Sequence, residues 1–199
     1  MIYVIDIDNT ISPFNQIGHE TMPFFVPNPN PSNLYQLVQN TDQVSEVLSL
    51  IHEVQLKYTK IPKPVINTLD YIFRKLPPTE IHIVTHRKDE WYRLTLEWLR
   101  KRFPFKINKL VLLTNKERIK YCINLTQKDK VILLDDNPDV LKECLYKIND
   151  TSFQVIPVVW KYNQTFANRY KSRIKTKPDF SFYQLEDFDK FPFLRNKQG

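Results

Sequence analysis

The sequence predicts an α/β protein with a three-layer, doubly wound parallel sheet and a small cap inserted after the first strand. Three observations predict it. The chain opens on a short apolar run, Ile2–Ile5, that reads as a buried strand. From residue 80 onward, short apolar runs alternate with helical patterns, the signature of βαβ units closing into a parallel sheet. Between these two regions lies a stretch, about residues 12–33, so rich in Pro and Asn that it can be neither regular helix nor central strand.

The elements follow in order. Leu34–Val38 and Val44–Tyr58 read as helices, the second from Val44, Val47, Leu48, Ile51 and Val54 at a 3.6-residue spacing. Pro62 and Pro64 mark a new start, Val65–Leu76 is a helix, and Pro77-Pro78 ends it. Ile81–Val84 is a strand, and Glu90–Arg102 a helix with Trp91, Leu94, Trp98 and Leu99 as its apolar residues. Leu110–Leu113 is a strand, Lys116–Leu125 a helix, Val131–Leu134 a strand, Val140–Ile148 a helix and Gln154–Val159 a strand. Tyr162–Arg173 reads as a basic helix and Phe180–Tyr183 as a last edge strand. The expected division is a core of residues 1–11 and 63–199 and a Pro-rich, helical cap of residues 12–62.

Composition narrows the function. With 199 residues, 42% hydrophobic and 13% aromatic, the chain can bury a sizeable core. The formal net charge of +7 and a sequence pI near 9.3 suit an anionic substrate or partner as well as they suit a solvated lysine-rich surface. Gly18 and Gly199 are its two glycines, which excludes a glycine-rich phosphate loop and a dinucleotide fingerprint. Cys122 and Cys144 sit in helical patterns beside apolar residues and read as reduced core residues. With no apolar leader and no run of transmembrane length, the expectation is a cytoplasmic protein without a membrane partner.

The chemistry is concentrated at strand ends. The first strand runs into Asp6, Asp8 and Thr10. Two carboxylates two residues apart repel each other and need a cation or a shared proton. Mg2+, which prefers carboxylate oxygens with water and substrate phosphate, is the natural candidate. The strand at 81–84 ends in Thr85, His86 and Arg87, that at 110–113 in Thr114, Asn115 and Lys116, and that at 131–134 in Asp135 and Asp136.

Strands ending in Asp-x-Asp-x-Thr, Thr, Lys and Asp-Asp, in that order, resemble the haloacid dehalogenase superfamily of aspartate-dependent phosphohydrolases. The resemblance covers residues 1–11 and about 64–190, and the Pro-rich stretch is placed like the cap of these enzymes. It implies Asp6 as nucleophile, forming an aspartyl-phosphate, and Asp8 as the acid–base group. An acid at that second position favours a phosphatase over dehalogenase or ATPase chemistry. It implies Thr85 on a phosphate oxygen, with His86 and Arg87 beside it, and Lys116 as the balancing cation, with Lys120 one turn later as competitor. It implies Mg2+ on Asp6, the Asp8 backbone carbonyl and the acids Asp135 and Asp136, whose order stays open.

Residues 85–99 also resemble, loosely, the corresponding region of phosphatases acting on nucleotides or nucleic-acid ends. In polynucleotide kinase-phosphatases an arginine follows this strand, matched by Arg87, and a Thr-x-x-Trp-Leu-like helix comes next, matched by Thr95–Leu99. Trp98 and Leu99 read better as the buried face of that helix. The expected partner is a phosphorylated substrate, either a nucleotide or a nucleic-acid end. Lys161–Lys177, basic and interleaved with Tyr162, Phe166 and Tyr170, suits a nucleic-acid backbone as well as it suits a solvated helix. Phe14, Phe24, Phe25 and Tyr35 could stack on a base or form the cap's own core. Two alternatives stand beside this reading: a phosphatase of another small phosphorylated metabolite, and a non-enzymatic, basic nucleic-acid-binding protein on the same scaffold.

Overall fold

The computed structural model describes residues 1–12, 14, 44–147, 152–159, 183 and 184. The helix expected at 34–38, the basic segment 161–177 and the aromatics Phe24, Phe25 and Tyr35 lie outside the described residues.

The strands are β1 (Ile2–Ile5), β2 (Glu80–Thr85), β3 (Lys109–Leu112), β4 (Val131–Asp135), β5 (Phe153–Val159) and β6 (Tyr183–Gln184). They form one sheet in the order β3-β2-β1-β4-β5-β6, with every pairing parallel. The helices are α1 (Val44–Tyr58), α2 (Lys63–Lys75), α3 (Tyr92–Arg102, entered through a 3₁₀ turn at Asp89–Trp91), α4 (Asn115–Thr126) and α5 (Pro138–Lys147).

Strand side chains alternate between two faces, so a parallel sheet covered on both sides has two cores. One core gathers Tyr3, Ile5, Ile83, Ile132 and Leu134 against α1, α2 and α3. The other gathers Ile2, Val4, Val84, Val131 and Leu133 against α4 and α5. Cys122 and Cys144 lie in this second core as buried, free thiols. Leu56 of α1 and Ile61 share a cluster with Tyr3 and Leu69. Trp98 of α3 also donates its indole N–H to the Thr59 carbonyl at 3.1 Å. Among the described residues, no helix is long and apolar enough to cross a membrane.

The topology decides where chemistry can sit. From the central β1, one run of strands winds toward β3 and the other toward β6. The crevice at that reversal, beyond the carboxyl ends of β1, β2 and β4, is where such sheets place ligands. Asp6, Thr85 and Asp135 all stand at those ends.

Candidate active site

The loop after β1 is a tight turn closed on one carbonyl. Ile7 O accepts from Thr10 N, Ile11 N and Ser12 N at 3.2, 3.0 and 2.9 Å, and Asn9 N donates to Ser12 O at 2.7 Å. Asn9 takes φ 59°, a left-handed conformation that asparagine tolerates better than most residues. Asp6 N still bonds Leu134 O of β4 at 3.0 Å, so the carboxylate of Asp6 is fixed at the sheet's edge. Thr10 folds back to donate its hydroxyl to Asp136 Oδ1 at 3.1 Å.

Two guanidiniums hold the acids. Arg118, buried on α4, places Nη2 3.0 Å from Asp6 Oδ1 and gives Nη1 to Asp135 Oδ2. The Asp135 Oδ1 atom accepts from Asn137 N at 2.9 Å, so both oxygens of that fully buried acid are engaged. Asp136 lines the cavity beside Asp6, and carboxylate oxygens of Asp6, Asp135 and Asp136 lie within 4.8 Å of one another.

Arg87 holds Asp8. Its Nη2 donates to Asp8 Oδ1 at 2.6 Å and to Gln55 Oε1 at 2.7 Å, and its Nη1 to Thr95 Oγ1 at 3.0 Å. Gln55, buried on α1, donates Nε2 to Asp8 Oδ1 at 2.7 Å and to Ser12 Oγ at 2.8 Å. A cavity of about 660 Å³ opens over these groups. Asp6, Asp8, Thr85, Arg118 and Asp136 line its charged floor, while Phe14, Leu48 and His52 form one wall and His86 and Asn115 contribute elsewhere. Among the described residues, Thr85 Oγ1 and Arg118 Nε are buried without a hydrogen-bond partner. Buried donors without partners are costly.

No family model and no curated protein matches the chain. Among solved structures, it is similar to the crystal structure of a protein of Burkholderia xenovorans LB400, provisionally described as a haloacid dehalogenase-like hydrolase. The TM-score is 0.52 at 11% identity, over 97% of this chain and 96% of that one. The fold is haloacid dehalogenase-like. On that fold Asp6 and Asp8 after β1, Asp136 after β4 and Thr85 at the end of β2 converge on one cavity.

The site differs from the sequence reading in its cations. Lys116 is exposed in the first turn of α4 and Lys120 is exposed one turn on; Arg118 makes the contact to Asp6 expected of Lys116. Helical geometry is the reason, since the buried face of α4 is Arg118, Ile119, Cys122 and Leu125, and residues 116 and 120 point away from it. Arg87 turns its donors to Asp8, Gln55 and Thr95, not toward an open phosphate site. His86 is exposed at the cavity rim. Both missed residues left a trace in the sequence. Arg118 stands one turn before Cys122, and Gln55 one turn after Ile51, each a polar residue on an apolar stripe.

The electrostatics differ between the two aspartates. Burial pushes the Asp6 carboxyl well above its usual range; Arg118 opposes this, and Asp135, Asp136 and Asp8 add to it. Burial also acts on Asp8, but the charge of Arg87 and the hydrogen bonds from Arg87 and Gln55 outweigh it and lower its pKa. Arg118, though buried, is held firmly charged by Asp135 and Asp6. With all four acids ionised, four carboxylates against two guanidiniums would leave an excess of two negative charges, the repulsion that Asp6 registers in its raised pKa. A divalent cation removes that excess, and the all-oxygen donors Asp6 and Asp136 suit Mg2+.

Proposed function

We propose that this protein is a Mg2+-dependent phosphatase that hydrolyses phosphomonoesters through an aspartyl-phosphate on Asp6. The observation that carries the reading is the cavity itself, where the clustered acids share a lining with Thr85 and Arg118, whose buried Oγ1 and Nε have no hydrogen-bond partner among the described residues. A phosphoryl group supplies acceptor oxygens for those donors. Phosphoryl transfer asks mainly for positioning and charge neutralisation.

Asp6 attacks phosphorus, the bond to the leaving oxygen breaks, and that oxygen departs with a proton from Asp8 or from water. In the second half, Asp8 takes a proton from water as the water oxygen attacks phosphorus, which frees phosphate and restores the Asp6 carboxylate. Arg87 and Gln55 hold Asp8 in place and ionised, the form this second half requires. Asp6 and Asp136 would hold Mg2+, with Asp135 behind them orienting Arg118. When bound, Mg2+ supplies Lewis-acid polarisation and charge balance for the phosphoryl group.

The substrate class we favour is a nucleotide or a phosphorylated nucleic-acid end. The basic chain and the wall of Phe14 and His52, whose ring centroids are 4.9 Å apart, support it. The test is Mg2+-dependent phosphate release from nucleoside 3′- and 5′-monophosphates, a 3′-phosphorylated oligonucleotide, sugar phosphates and an aryl phosphate. Release is expected to vanish in Asp6→Asn. Hydrolysis retained by that variant would sink the nucleophile assignment.

A further inference from the structure

We propose that the groove between α3 and the edge strand β3 binds the phosphodiester backbone of a single-stranded polynucleotide. The groove has a volume of about 550 Å³ and is lined by Tyr92 and Arg100 of α3, by Lys106, and by Lys109 of β3, with no acidic residue among its lining.

Charge is the first argument. Arg100, Lys101, Arg102, Lys106 and Lys109 fall within ten residues, and none makes an ion pair among the described residues. The contrast lies on the same helix, where Arg93 is paired with Glu97 at 3.1 Å. Arg100, Lys106 and Lys109 line the groove itself, with Glu80 of the neighbouring β2 near enough to act on Lys109, and such a cluster of cations is an electrostatic footprint for a polyanion.

Position is the second argument. The right-handed crossover from β2 to β3 runs α3 back along the sheet, so Tyr92 starts at the catalytic end. The neighbouring Trp91 ring lies 5.9 Å from the His52 ring, and His52 lines the catalytic cavity. Tyr92 is 42% exposed, leaving a ring face on which a base can stack. Arg100 follows about 12 Å farther along the helix axis. A strand leaving the catalytic cavity would therefore meet an aromatic first and cations next. An acidic peptide adding to the open edge of β3 is the competing occupant. β3 is only four residues long and begins with exposed Lys109, two features that blunt strand addition.

As a binding surface the groove stands alone; as a guide to substrate it rests on the phosphatase reading. The test follows the fluorescence anisotropy of a labelled oligothymidine of about 15 nucleotides between about 50 and 200 mM salt. Three proteins are compared: the wild type, Arg100→Gln/Lys106→Gln/Lys109→Gln, and the charge-matched control Lys60→Gln/Lys128→Gln/Lys142→Gln. Each phosphate contact contributes about 0.7 to the slope of log affinity against log salt, so the groove variant should lose about 2 from it. The control should keep the wild-type slope. Lys106→Gln alone should lose about 0.7, which guards against a fold defect in the triple variant. Equal losses in both triple variants, no measurable wild-type binding, or tighter binding of an oligoglutamate of the same length would overturn the proposal. Aryl phosphate turnover is measured in parallel, and its absence in the wild type would count against the phosphatase reading while leaving the groove result intact.

Discussion

Arg118 bridges Asp6 and Asp135 from inside the protein, and a buried pair that loses one partner leaves a charge in a medium that cannot solvate it. Arg118→Ala should therefore cost about 3–5 kcal/mol of stability, read by urea denaturation, and remove phosphate release. Arg118→Lys should recover part of the stability, because one ammonium can reach one of the two carboxylates but cannot fork onto both. Lys116→Ala, at an exposed site, should change stability by no more than about 0.5 kcal/mol and leave turnover within about twofold. If Lys116→Ala abolished turnover while Arg118→Ala preserved it, the assignment from geometry would be reversed. The sequence spoke for a cation after β3 but not for which one. Its place at a helix start favours Lys116, with Lys120 one turn later, whereas the side chain that reaches Asp6 is selected by which face of α4 is buried.

At the scale of elements, strand ends were legible because an apolar run that stops at a polar residue has one physical reading. β1 begins and ends at the residues expected, and α1 does too. Most other boundaries coincide or shift by one or two residues, as helix caps and strand ends commonly do, and of the strand expected at 180–183 the described residues show Tyr183–Gln184. The start of α4 moves to Asn115 because Thr114 caps it: Thr114 Oγ1 accepts from Glu117 N at 3.4 Å while Glu117 Oε2 accepts from Thr114 N at 2.9 Å. Thr114→Ala should cost about 1 kcal/mol in thermal or chemical denaturation. Turnover should change little, since Arg118 is pinned by its two carboxylates as well as by its helix. What stayed illegible was the lateral contact of α1, whose Gln55 reaches Asp8 across 47 residues of chain.

Strand β2 carries a titratable group in the core. His82 is fully buried; Tyr121 donates its hydroxyl to Nδ1 at 2.9 Å and Nε2–H donates to Glu80 at 2.5 Å, which satisfies the neutral ring. Burial lowers the His82 pKa, Lys109 and Lys128 add to that, and Glu80 opposes it. The unfolded chain then binds the proton more readily than the folded one at pH values below about 6.5. Stability from this group is complete above that pH and falls as the pH drops toward the folded value, by up to about 1.4 kcal/mol per pH unit. Urea midpoints should fall between about pH 7.5 and 5.5, and His82→Gln should flatten that fall. An equal slope in the variant would assign the pH dependence to other groups.

At the scale of the whole molecule, alternation of strand and helix specified a parallel sheet, and parallel crossovers specified where its ligand end lies. The same topology concentrates four buried or half-buried carboxylates at one point, and with all of them ionised the two guanidiniums beside them would not balance the charge. A cation that binds only the folded state stabilises it by mass action, about 2.7 kcal/mol at a hundredfold excess over its dissociation constant. For a domain of this size that corresponds to a rise in Tm of about 5–10 °C. Mg2+ should produce such a rise, and chelation should reverse it together with phosphate release. Asp136→Asn separates the cation from the fold. It removes one charge from a repelling cluster and keeps an oxygen for the Thr10 hydroxyl. Its Tm without Mg2+ should therefore equal or exceed that of the wild type, while its response to Mg2+ disappears. Asp135→Asn should instead lower the Tm even without Mg2+, because it takes a carboxylate from Arg118. A full Mg2+ response in Asp136→Asn would remove Asp136 from the cation site and leave the charge excess to be balanced some other way.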